Sequence, residues 1–99
     1  MAKVILRQEA IDDLNNIWFY TFDEWSEKQA DKYYAALEFA CRQIGKNPEL
    51  GKEYTEVSKH LLGLRIGKHI IFYQIISKDR IEIVRILHEQ MDLKNKLNE

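Results

Sequence analysis

The spacing of apolar residues changes within the first half of the chain. Residues 3–6, KVIL, predict a short strand, and from Glu9 onwards apolar side chains recur every three or four positions, as on one face of a helix. The sequence Ser26-Glu27-Lys28-Gln29 has the pattern of a capping box, so a second helix is predicted to begin there. Asn47-Pro48 ends it, because the residue before a proline is disfavoured in the helical region. Residues 9–46 therefore predict a helical hairpin.

The second half of the chain has the pattern of a β-meander. Strands are predicted at residues 60–66, 69–76 and 81–88. Gly67-Lys68 joins the first two as a two-residue turn, and residues 89–99 can form a short final helix. The order of elements predicts one α+β domain over residues 1–99. Its N-terminal strand precedes a two-helix antiparallel hairpin, which packs on one face of a small sheet.

The two turns of the meander fix its predicted register. If Ile76 pairs with Ile81 in the second hairpin, the two faces of the sheet differ in charge, because side chains alternate between faces. The arginine-free face carries Leu62, Leu64, Ile71, Tyr73, Ile75, Val84 and Ile86. The mixed face carries Arg65, Ile70, Phe72, Gln74, Ile76, Ile81, Ile83, Arg85 and Leu87.

We assign the helical hairpin to the arginine-free face. The mixed face would then expose a patch of large apolar side chains, and such patches usually mark partner sites. We expect either a second chain or the tail of this chain, folded back, to fill it.

Composition and charge indicate which classes of protein the chain can belong to. The chain has 99 residues, 45% hydrophobic and 31% charged, with no apolar run long enough to span a membrane and no secretory signal in its first ten residues. A single cysteine, Cys41, cannot form an internal disulfide, which agrees with a reducing cytoplasm. Residues 1–56 carry a net charge of −4 and residues 57–99 a net charge of +3, so the second half is the better face for an acidic partner.

Several aromatic residues lie at helical spacing in the acidic half. Trp18, Trp25, Tyr33 and Tyr34 could stack on nucleic-acid bases, but in this charge context we interpret them as core residues. Cys41 lies on the same helical stripe as the apolar residues and is expected to be a small core hydrophobe.

Several segments, in this order along the chain, resemble the ParE branch of the RelE/ParE toxin superfamily. They are AIDDLNNIWFY (10–20), QADKYYAALE (29–38), NPELGK (47–52), LLGLRIGKHIIFYQI (61–75) and RILHEQMD (85–92). The resemblance implies a cytoplasmic toxin of a type II toxin–antitoxin pair. Such a toxin arrests growth, usually by trapping DNA gyrase on cleaved DNA, and is held inactive in a hetero-oligomer by a ParD-like antitoxin. It implies no membrane contact and no sequence-specific binding of nucleic acid.

The mixed sheet face is the expected groove for the antitoxin. We predict contacts from Arg65, Ile70, Phe72, Gln74, Ile81, Ile83, Arg85 and Leu87. At its rim, His88, Met91 and Asp92 are predicted to contact the antitoxin or the target, and the tail, residues 89–99, is a further candidate for target contact.

The alternative is a ribosome-dependent mRNA endonuclease of RelE type. Arg65 and Arg85 could hold a phosphate, and His88 could transfer a proton because its ordinary pKa lies near neutrality. The connector before the strands is net acidic, however, and both arginines could instead pair with Asp92 or Glu89. We therefore favour a non-enzymatic inhibitor with no catalytic residues.

A metal site is the remaining chemical possibility. The predicted register makes His69 and His88 cross-strand neighbours, but two histidines with no third ligand nearby are a weak zinc site. We therefore predict no metal and no cofactor.

Overall fold

The computed structural model describes residues 2–97, apart from the side chain of Lys94, so the last two residues of the predicted tail lie outside it. The elements are β1 (Lys3–Leu6), α1 (Gln8–Glu24), α2 (Glu27–Lys46), a 3-10 turn (Pro48–Leu50), β2 (Lys52–Glu53), β3 (Leu62–Ile66), β4 (His69–Ser77), β5 (Arg80–His88) and α3 (Leu93–Leu97). The five strands form one sheet in the order β1-β5-β4-β3-β2. The predicted α+β architecture is confirmed. β1 joins the sheet parallel to β5, and the short strand β2 had no signal in the sequence pattern.

Local sequence explains where the helices and the first hairpin turn lie. The Ser26 hydroxyl accepts a hydrogen bond from the backbone N–H of Gln29 at 3.1 Å, which confirms the predicted start of α2. Gly67 has a φ of +57°, while Lys68 does not have a positive φ, as expected for a type II′ turn. The pairs on both sides of that turn, Ile66 with His69 and Arg65 with Ile70, match the predicted register.

The register of the second hairpin is wrong beyond Phe72. Phe72 pairs with Arg85 as predicted, but Tyr73 pairs with Ile83, so Val84 is an extra residue in β5. A single inserted residue moves every side chain beyond it to the other face of the strand.

The shift corrects the predicted faces of the sheet. Ile81 and Ile83, predicted on the mixed face, are fully buried in the main core against the helical hairpin, and Val84 lies on the mixed face instead. A second irregularity between Ile75 and Ser77 leaves Ile75 and Ile76 about half exposed.

The mixed face is covered by the chain itself and is not left open for a second chain. Leu61, Ile70, Phe72 and Leu87 form a second, smaller core that is at most 5% exposed. Tyr54 and Val57 from the connector cover one part of it, and Leu93 and Leu97 from α3 cover another. The tail folding back was one of the two expected covers.

The interpretation of the helical aromatics as core residues is only partly right. Tyr33 and Tyr34 pack on the main core, Trp18 is half-buried, and Trp25 is 74% exposed just beyond α1. Cys41 is buried in the main core as predicted, and burial raises the pKa of its thiol to about 11.

Candidate functional site

A groove of about 560 Å³ lies between α1, the end of β5 and the tail. It exists because β1 pairs with β5 only as far as Ile83, so within residues 2–97 no strand lies beside the outer edge of β5 beyond that residue. Asp13, Ile17 and Tyr20 of α1 line one side. His69, Arg85, Leu87, His88, Met91 and Lys96 line the other side. The groove thus brings together several predicted site residues with α1 residues that were not predicted as site residues.

Asp13 hydrogen-bonds to the edge of β5 that β1 does not reach. Its carboxylate accepts hydrogen bonds from Arg85 Nε at 2.8 Å, from Arg85 Nη2 at 2.9 Å and from the backbone N–H of Ile86 at 3.0 Å. Both side chains of the ion pair are less than one-fifth exposed. The sequence presented Asp13 only as an acid in the first turns of a helix, which carried no signal of this long-range role.

The two predicted arginines are held apart by separate carboxylates. Arg65 pairs with Glu89, one of the two partners expected for it, whereas Arg85 pairs with Asp13 and also donates to the Lys96 carbonyl at 3.1 Å. Two guanidinium groups that are each neutralised by an acid do not form a ready anion site.

Hydrogen bonds hold both rings of the histidine pair. The Tyr33 hydroxyl lies 3.1 Å from the Ile66 carbonyl, 3.3 Å from the Lys68 N–H and 2.6 Å from His69 Nδ1. The phenol has one proton, so the tautomer of His69 decides whether the hydroxyl donates to the Ile66 carbonyl or to His69 Nδ1.

His88 is held by a neighbouring backbone amide. Its Nδ1 accepts the Gln90 N–H at 3.1 Å, so the proton of its neutral ring lies on Nε2. The two rings meet edge to face with centroids 5.3 Å apart. Burial, together with the neighbouring His88, lowers the pKa of His69 to about 4, so His69 is neutral at physiological pH.

The other predicted contacts lie outside the groove. Gln74 accepts a hydrogen bond from Arg7. Arg7 also donates to the Glu82 carboxylate, and this second hydrogen bond holds the pKa of Glu82 below its usual value. Asp92 is exposed and accepts hydrogen bonds from Asn95 at the start of α3.

Neither a metal site nor a membrane span is seen in the described part of the chain. No group of three or more His, Cys, Asp or Glu residues within residues 2–97 could hold a metal ion. No helix in that range is long and apolar enough to cross a membrane.

Comparison with known proteins finds a family match over most of the sequence. Residues 4–93 match the family described as ParE toxin of type II toxin–antitoxin system, parDE. A Mycobacterium tuberculosis protein named Toxin ParE1 is 31% identical over 97% of this chain and 98% of its own length.

Two solved structures are similar in fold. One is described as a chromosomal ParDE toxin–antitoxin system from P. aeruginosa, with a TM-score of 0.77, 14% identity, and coverage of 89% of this chain and 96% of that one. The other is described as the toxin–antitoxin complex RelBE2 from Mycobacterium tuberculosis, with a TM-score of 0.62, 20% identity, and coverage of 88% and 96%. The sequence match and the shared fold lead to one conclusion: the chain belongs to the ParE family of type II toxin–antitoxin toxins, within the RelE/ParE superfamily.

Proposed function

We propose that this chain arrests bacterial growth by poisoning DNA gyrase in the cytoplasm and that a ParD-like antitoxin holds it inactive. The observation that carries the proposal is the 31% identity to a protein named Toxin ParE1 over nearly the whole of both chains. A non-enzymatic inhibitor needs a binding surface rather than a catalytic constellation, and the groove beside β5 provides such a surface.

The ion pairs support this choice over the endonuclease. RNA cleavage needs cations that are available to the phosphate and a group that can take the proton of the 2′-hydroxyl. Arg85 is occupied by Asp13, and Arg65 pairs with Glu89. His88, the residue considered for proton transfer, uses its Nδ1 to accept the Gln90 N–H.

The antitoxin has two adjoining places to bind. One is the open groove, whose floor includes Leu87 and whose edge includes His88 and Met91. The other is the mixed face of the sheet, where Ile70 and Phe72 lie beneath the connector and α3. We retain Ile70, Phe72, Leu87, Arg65, Gln74 and Arg85 as proposed contacts, and add Val84 in place of Ile81 and Ile83.

Access to the mixed face requires α3 to move. This helix has five residues, packs on the second core through Leu93 and Leu97, and accepts a hydrogen bond from Arg85 at the Lys96 carbonyl. Helices of fewer than about 12 residues are marginal without tertiary contacts, so an antitoxin segment with larger apolar side chains can take its place.

A pair of biochemical assays tests the target. The purified chain is added to gyrase, plasmid and ATP, and separately to translating ribosomes with a reporter message. Accumulation of cleaved plasmid that requires both gyrase and the chain is the expected result. Premixing with the product of the neighbouring antitoxin gene should abolish it. A trimmed message together with intact plasmid would show that the endonuclease is the correct assignment.

A further inference from the structure

A surface of exposed aromatic side chains lies on the side of α1 away from the groove. Phe19 is 62% exposed, Phe22 is 43% exposed and Trp25 is 74% exposed. Trp18 stacks on Phe22 with centroids 5.4 Å apart and meets Phe19 edge to face at 5.3 Å. We call these four residues the aromatic surface. The ring contacts join Trp18, Phe19 and Phe22 into one patch, and Trp25 follows at the end of the same helix.

A hollow of about 330 Å³ adjoins this surface. It is lined by Asn15, Trp18, Phe19, Asp31 and Tyr34, so both helices of the hairpin contribute to it. Oδ1 of Asp31 accepts the indole N–H of Trp18 at 2.9 Å. Among the described residues, Oδ2 of the same carboxylate has no protein donor. The hollow therefore combines apolar walls with one available anionic acceptor.

The surroundings of the aromatic surface are acidic. Residues 8–24 include five Asp or Glu residues and no Lys or Arg. Asp13 faces the groove and is paired with Arg85, and at 100° per residue Asp12 and Asp23 lie nearest the aromatic side chains. Because α1 supplies no base of its own, a polyanion such as nucleic acid would be repelled there. A second copy docked α1 against α1 would place acid against acid, which is destabilising for the same reason.

We infer that the aromatic surface and its hollow form a docking site for a cationic, amphipathic segment of another protein. Lysine or arginine side chains of that segment would pair with Asp31 and lie over the aromatic rings, where cation–π attraction adds to ion pairing. Its large apolar side chains would fill the hollow between Phe19 and Tyr34. Aromatic residues in such hollows are typical anchors of protein interfaces.

This site is separate from the proposed antitoxin groove. At 100° per residue, Asp13, Ile17 and Tyr20 point to one side of α1, while Phe19 and Phe22 point to nearly the opposite side. A partner on the aromatic surface would therefore leave the groove open. The inference does not depend on whether gyrase is the target.

Intrinsic fluorescence can test the site selectively. The chain has two tryptophans, Trp18 and Trp25, and both belong to the aromatic surface. The probe is a helical peptide of about 15 residues made of Leu, Lys and Ala, with Leu at helical spacing and no tryptophan. We expect a saturable blue shift of the emission. The same peptide with Glu in place of Lys should give none.

Three variants locate the binding. Asp31→Asn keeps an acceptor for the Trp18 indole but removes the charge, and Phe19→Ser removes one wall of the hollow. Each should weaken peptide binding about fivefold or more. Ile76→Ser, which changes an exposed apolar residue on β4, should not change it.

Three results would overturn the inference. The first is equal binding of the Lys peptide and the Glu peptide. The second is a peptide affinity that is unchanged in both Asp31→Asn and Phe19→Ser. The third is a wild-type chain that sediments as an oligomer while Phe22→Ser sediments as a monomer. The last would show that a second copy occupies the surface.

Discussion

Asp13 and Arg85, which lie 72 positions apart, form a two-pronged ion pair, with Oδ2 at 2.8 Å from Nε and Oδ1 at 2.9 Å from Nη2. The same carboxylate also holds the amide of Ile86. One side chain of α1 thus fixes the helix against the end of β5 and sets the width of the groove. Its position explains why the groove has a defined shape although no strand lies beside β5 there.

Asp13→Ala should be strongly destabilising. It leaves the Arg85 guanidinium without its carboxylate in a site that is less than one-fifth exposed, and it removes the acceptor of the Ile86 amide. Breaking such a pair costs about 3 kcal/mol of unfolding free energy. Asp13→Asn can still accept the Ile86 amide, so its loss should be smaller. Urea unfolding measures both, with exposed Asp12→Ala as the control. If Asp12→Ala and Asp13→Ala lost the same unfolding free energy, the Asp13–Arg85 pair would contribute no more to stability than an exposed side chain does.

Tyr73→Phe should loosen the segment that leads into β2. The buried Tyr73 hydroxyl donates to the Pro48 carbonyl at 2.6 Å and accepts the Gly51 N–H at 2.9 Å. Removing the oxygen leaves both backbone groups without this partner, which costs about 2 kcal/mol. Urea unfolding should show that loss, while Tyr20→Phe, whose ring is 65% exposed, should match the wild type. A wild-type unfolding midpoint for Tyr73→Phe would contradict the assigned hydrogen bonds.

His69 should make stability depend on pH between about 6.5 and 4. Its folded pKa is about 4 and its ordinary value is 6.5, so the unfolded state binds more protons in that window. Stability is therefore complete above pH 6.5 and falls as the pH is lowered. The ring is only half-buried, so the loss between pH 7.5 and pH 5 should be about 1 kcal/mol after solvent screening. Urea unfolding at the two pH values measures it. His69→Gln should reduce the difference in unfolding free energy between the two pH values. If that difference is unchanged in the variant, another titrating group causes it.

The sequence predicted the architecture because its main signals are local. The Ser26 cap, the break at Pro48 and the glycine of the turn at Gly67 each depend on a few neighbouring residues, and all three appear in the structure where expected. Helical periodicity likewise depends on neighbours within a turn or two. These features fix the hairpin, the meander and the first register without any knowledge of tertiary contacts.

The faces of β5 were mispredicted because both faces of the sheet are apolar. Alternation could not distinguish two registers that differ by one residue, and the inserted Val84 reversed the assignment of Ile81 and Ile83. One signal was available. Glu82 stands between two isoleucines, and a buried position for Ile81 and Ile83 puts Glu82 on the opposite face, where it pairs with Arg7 and Arg80.

The candidate site was predicted less well because it depends on long-range contacts. Asp13 reaches Arg85 across most of the chain, and Leu93 and Leu97 of α3 pack on the second core. Neither contact leaves a periodic pattern in the sequence. Trp25 was misplaced for a related reason, since helical spacing shows which residues share a side of a helix but not whether that side is covered.

If α3 competes with the antitoxin for the mixed face, weakening α3 should strengthen antitoxin binding. Leu93→Ser combined with Leu97→Ser removes the helix's apolar anchors, so the antitoxin no longer has to displace them. The affinity should rise about fivefold. Molecules in which α3 covers the mixed face cannot bind the antitoxin there, and the fraction of such molecules lowers the apparent affinity. Calorimetric titration with the antitoxin measures this change.

Two further variants separate this competition from a general change in stability. Val84→Asp places a charge on the mixed face and should weaken binding, because the complex would bury that charge without a partner. Ile76→Ser changes an exposed side chain on β4 and should bind as the wild type does. If the double leucine variant bound more weakly while remaining folded, α3 would be part of the antitoxin interface rather than a competitor for it, because its leucines would then contribute contacts to the complex.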